Sequence, residues 1–82
     1  MRVATAQGSH GRLSFVLQRI AGGLYVEREE VPKRGTQTFI SIEFTDRDAF
    51  RRWLDEDPSR FDHPLLHQHV QRDADELWAA VR

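Results

Sequence analysis

Three histidines fall within seven residues, His63, His67 and His69, with Asp62 and Asp73 beside them. Imidazole nitrogens and carboxylates are common ligands of zinc and related transition metals. On a helix, His63 and His67 lie one turn apart on the same side, and Asp62 is placed to supply a third ligand. His69 points away from that pair and meets Asp73 at i+4 instead. The spacing HxxxH is not the metalloprotease helix HExxH, because position 64 is Pro. The competing reading is a helix start with imidazoles at its margin, making a pH-sensitive contact. Unspecific histidine clusters are commoner than metal centres, so no metal or other cofactor is expected, and His63, His67 and Asp62 are carried forward as candidate ligands.

Catalytic patterns are missing. The chain holds no GxSxG, no P-loop and no GxGxxG, and it has no cysteine, which removes thiol nucleophiles, zinc ribbons and disulfide scaffolds. The acidic runs Asp55-Glu56-Asp57 and Asp73-Ala74-Asp75-Glu76 read as helix surface and helix end. A paired-carboxylate site needs one shielded and one solvated group, and nothing in the pattern separates them so. A non-enzymatic chain is expected.

The elements that would carry these side chains follow from periodicity. Residues 1–11 (MRVATAQGSHG) show no apolar period and are expected to form a flexible N-terminal arm, with residues 12–82 a single α+β domain. Leu13, Phe15 and Leu17 alternate with Ser14, Val16 and Gln18, which marks a strand. Gly22-Gly23 signals a two-residue hairpin turn, because both positions tolerate positive φ. That turn pairs Ala21 with Leu24, Ile20 with Tyr25 and Arg19 with Val26. Paired residues share a face. Leu13, Phe15, Leu17, Leu24 and Val26 therefore lie on one side, and Val16, Ile20 and Tyr25 on the other.

Pro32-Lys33-Arg34-Gly35 reads as the next turn and Thr36–Phe44 as a third strand. A plain four-residue loop puts Phe39 on the Leu13 face and Ile40, Ile42 and Phe44 on the Val16 face; a bulge at Gly35 exchanges the two sets. The bulged register is preferred, since it builds the stronger single core face. Thr45, with Asp48 three residues on, reads as the cap of a first helix with the stripe Phe50, Trp53 and Leu54, ended by Pro58. A second helix, capped by Asp62 or His63 with Pro64 in its first turn, carries Leu66, Val70, Ala74, Leu77, Trp78 and Val81.

The expected architecture is α+β: a three-stranded antiparallel meander followed by two helices (βββαα) in two layers, a fourth strand being excluded by length. The first sheet face should pack on Phe50, Trp53, Leu54, Leu77 and Trp78. The second face is unusual, because an open face of an antiparallel sheet normally reads polar. Val16, Ile20, Tyr25 and Phe39 among polar neighbours point to a protein-binding surface, with a homodimer as its simplest form, unless the second helix crosses over and covers it.

A nucleic-acid reading competes. Eleven of twelve basic residues are arginine, Lys33-Arg34 sits in a turn, and Phe15, Tyr25 and Phe39 lie on strands as stacking aromatics do. Against it, Glu27-Arg28-Glu29-Glu30 places carboxylates where phosphates would run, and the net charge of the 82 residues is −1. No segment has the length and apolarity of a membrane span or a signal peptide, so a cytoplasmic address is the expectation, with no membrane partner.

Overall fold

A computed structural model describes residues 1–80. Four strands run in chain order across one antiparallel sheet: β1 (Arg2–Gly8), β2 (Gly11–Ile20), β3 (Gly23–Pro32) and β4 (Thr38–Phe44). Three helices follow, α1 (Arg47–Asp55), the single turn α2 (Ser59–Asp62) and α3 (Pro64–Ala79). The chain is α+β, with a four-stranded sheet under one helical layer. Among the described residues no helix is long and apolar enough to cross a membrane.

The segment expected as an arm is an edge strand. Arg2↔Leu17 through Gly8↔Gly11 pair β1 along β2. Ser9-His10 forms the turn, and Gly11 closes it with φ 106°, where an added Cβ would stand 2.3 Å from the Val31 carbonyl oxygen. Gly11 is therefore a conformational requirement of this hairpin. Turns this short also correct the length argument, because four strands end by residue 44 and leave ample chain for the helices.

The β2–β3 hairpin turns at Ala21-Gly22 rather than Gly22-Gly23, with Ile20 opposite Gly23 and Leu17 opposite Val26. Gly22 supplies positive φ at 73°, and Gly23 supplies space, since a Cβ there would lie 2.2 Å from the Phe44 carbonyl oxygen. Each residue has moved against its expected partner by two positions. An even shift preserves faces, so Leu13, Phe15, Leu17, Leu24 and Val26 are all buried together. On β4 the preferred bulged register holds: Phe44, Ile42 and Ile40 face Leu24, Val26 and Arg28, while Phe39 is on the opposite side.

The first helix is capped one residue later than expected. Asp46, not Thr45, accepts the Asp48 backbone N–H at 3.0 Å. The stretch after Pro58, between the two expected helices, winds into α2. His63 and Pro64 start α3 as expected. Phe50, Leu54, Leu66, Val70 and Ala74 complete the core, with Trp53, Leu77 and Trp78 packed against it. Val81 lies outside the described residues.

Candidate functional site

The helical layer lies on one side of the sheet. Alternate positions on the other side carry Val3, Thr5 and Gln7 from β1, Arg12, Ser14, Val16, Gln18 and Ile20 from β2, Tyr25, Glu27, Glu29 and Val31 from β3, and Phe39, Ser41 and Glu43 from β4. None of these residues is buried, and Val3 and Phe39 are 60% and 57% exposed. The second helix of the expected architecture does not cross over: α3 packs on β1, β2 and β3 through core-facing residues.

Val16, Ile20, Tyr25 and Phe39 all share this outer face, but the register divides them. Val3 stands directly opposite Val16, Tyr25 is diagonal to Val16, and Ile20 is diagonal to Tyr25. These four make a diagonal apolar stripe over β1–β3, interrupted on β2 by the exposed Gln18, which lies between Val16 and Ile20 and directly opposite Tyr25. Phe39 is separate, opposite Glu29 at the far edge. Val3 and Val31 were not singled out from the sequence. For Val3 the missed signal was the alternation of Val3 and Thr5 with Ala4 and Ala6, muted by the small size of alanine.

Charge is uneven across the face. Glu27, Glu29 and Glu43 share its strand positions with one arginine, Arg12, which reaches Glu29 at 3.3 Å. Tyr25 donates its hydroxyl to Glu27 Oε2 at 2.5 Å, and that bond raises the phenol pKa above its usual 10.0. The apolar stripe is thus bordered by carboxylates on the β3–β4 side.

The nucleic-acid pattern does not assemble here. Phe15 is fully buried in the core, and Tyr25 and Phe39 stand among glutamates. Arg28 is nearly buried against Asp57, while Lys33 and Arg34 are exposed in the β3–β4 loop.

The histidines are drawn apart. His67 is buried, with Nδ1 3.1 Å from Ser59 Oγ and Nε2 3.9 Å from Asp55 Oδ1. The His63 ring instead stands edge-on to His10, centroids 6.2 Å apart. His69 meets Asp73 at 3.1 Å, the expected i+4 pair. Among the described residues no three His, Asp or Glu side chains gather as a metal-ligand group.

Ser59, His67 and Asp55 form a chain of the residue types used by serine hydrolases. A nucleophile must reach its substrate, however, and Ser59 is 1% exposed. Its neighbours tie it down further: its N–H donates to Asp57 Oδ2 at 2.9 Å. A hollow of about 330 Å³ beside His67 and Asp55 meets the imidazole but not this hydroxyl, so the arrangement is a structural network joining α1, α2 and α3.

The chain matches no family model, and no curated protein or solved structure matches it at a significant level.

Proposed function

We propose that this chain is a non-enzymatic protein-interaction module that presents the outer face of its sheet to a partner carrying apolar and basic groups. The observation that supports this reading is the uncovered stripe Val3, Val16, Tyr25 and Ile20, bordered by Glu27, Glu29 and Glu43. An apolar centre with a polar rim is the usual composition of a protein interface, and the acid border selects partners by sign. A second copy stacked face to face fits less well. Full overlap would enclose twice three carboxylates against twice one arginine, and like charges so placed oppose association.

Binding of an alternating Leu-Lys peptide, followed through backbone amide shifts, tests the reading. Shifts should centre on Val3, Val16, Ile20 and Tyr25, weaken with added salt and be absent with an alternating Leu-Glu peptide. Tyr25→Asp should abolish them while the helical layer keeps its spectrum. Shifts confined to the helical layer, or indifferent to peptide charge, would defeat it.

A further inference from the structure

We propose that β4 pairs antiparallel with β4 of a second copy of this chain, joining two four-stranded sheets into one continuous sheet. The strand is an outermost one, hydrogen-bonded to β3 alone, so its other side offers a row of unpaired backbone N–H and C=O groups. Its sequence, TFISIEF, contains no Pro, Gly or Lys and a single charge, and it is rich in β-branched and aromatic residues. Both of its faces expose apolar surface, Phe39 at 57% on the outer side and Ile40 at 42% on the helix side.

Natural sheets usually guard such an edge with charge, proline, a bulge or a covering element. The opposite edge is guarded. Arg2 on β1 reaches Asp73 at 3.0 Å and Glu76 at 2.7 Å, and α3 packs along that strand. Among the described residues no ion pair ties β4 to a helix, and α1 reaches it through Phe50 and Trp53 against Phe44, at the end of the strand.

The strand is complementary to itself. A two-fold axis at Ser41, its midpoint, pairs Ser41 with Ser41, Ile40 with Ile42, Phe39 with Glu43 and Thr38 with Phe44. Each pair joins residues of the same face, so Ile40 and Ile42 of both copies meet on the helix side. Glu43 never faces Glu43, as it would with the axis two residues further along. The helical layers of both copies fall on one side, and the outer faces join into a single surface. This association uses the sheet edge and stands whether or not the outer face binds a partner.

The chain has no cysteine, so Ser41→Cys introduces the only thiol, directly opposite its own copy and within reach of a disulfide. Under mild oxidation it should cross-link to a dimer almost completely, and Thr5→Cys on the exposed β1 edge should remain mostly monomeric. Light scattering should give twice the single-chain mass for the wild type and for Tyr25→Asp, but the single-chain mass for Ile40→Lys with an unchanged circular dichroism spectrum. A wild type that stays at the single-chain mass to millimolar concentration overturns the proposal. So does cross-linking of Ser41→Cys no better than of Thr5→Cys, or a dimer that survives in a folded Ile40→Lys. Masses that climb with concentration would indicate β4-to-β1 chains and also overturn it. Should Ile40→Lys fail to fold, the two thiol variants decide. The Leu-Lys peptide experiment is read separately, so loss of either proposal leaves the other standing.

Discussion

Arg28 on β3 and Asp57, after α1, form an ion pair that locks the sheet to the helical layer. Nε lies 2.7 Å from Oδ1, off the line of its N–H, so the contact is ionic more than a directed hydrogen bond. A second guanidinium nitrogen donates to Oδ2 at 3.4 Å, and the guanidinium carbon stands 5.9 Å from the Phe15 ring centroid. Both side chains are nearly excluded from solvent, at 11% and 8% exposure.

Removing one member should therefore cost more than an exposed pair would. Asp57→Ala leaves Arg28 beside Phe15 with only its 3.3 Å contact to the more exposed Glu30, and frees the Ser59 N–H, with an expected loss of about 3 kcal/mol. Arg28→Leu combined with Asp57→Asn should recover much of that, because no uncompensated charge remains. Urea unfolding of the three proteins checks the order. A loss below about 1 kcal/mol for Asp57→Ala, the range of surface pairs, would mean that water reaches the site.

Glycine is required at Gly11 on two counts, its left-handed φ and the approach of the Val31 carbonyl. Gly22 shares the first requirement but meets nothing within 4 Å. Gly22→Ala should then cost roughly 1–2 kcal/mol from conformation alone. Gly11→Ala should cost more and loosen β1, seen as faster hydrogen exchange from Val3 to Gln7. Equal costs at the two positions would show that the β3 backbone yields.

Burial lowers the His67 pKa from its ordinary 6.5, against the opposing pull of Asp55 and Asp57; Arg60 adds to the lowering. The fold thus favours the neutral imidazole, and the unfolded chain binds the proton more readily. This contribution is complete above pH 6.5 and is lost as pH falls through 6.5 towards the lower folded value. The urea midpoint should drop between about pH 7.5 and about pH 5.5. His67→Gln should flatten that drop while lowering stability at the upper pH. An unchanged drop in the variant would assign the effect to other groups.

Tyr25 is the only tyrosine in the chain, so its phenolate absorbance reports one site. Its midpoint should lie above 10.0, held up first by the hydrogen bond to Glu27 and then by desolvation. Glu27→Gln should bring it down. A midpoint indifferent to that substitution would place the hydroxyl away from the carboxylate.

Patterns of period two and period 3.6 were enough to separate the faces of β2 and β3 and the apolar stripes of both long helices. Leu13, Phe15 and Leu17 went to the core, and Val16, Ile20 and Tyr25 away from it, even though the turn lies one residue from its expected place, because side-chain direction depends only on parity. β1 escaped notice because Ala4 and Ala6 bury little surface, and such a strand is held by its pairing with β2, a long-range fact. The histidines illustrate the same limit. Spacing places His63 and His67 one turn apart, but His63 caps α3 with non-helical dihedrals, φ −142° and ψ 67°, beside His10 from the first turn. Meanwhile Ser59 and Asp55 capture His67. Local sequence determined which residues turn inward along each element. Which strands form the edges, which face the helices leave uncovered, and which polar groups find partners depended on contacts between distant segments, and only the tertiary structure decided them.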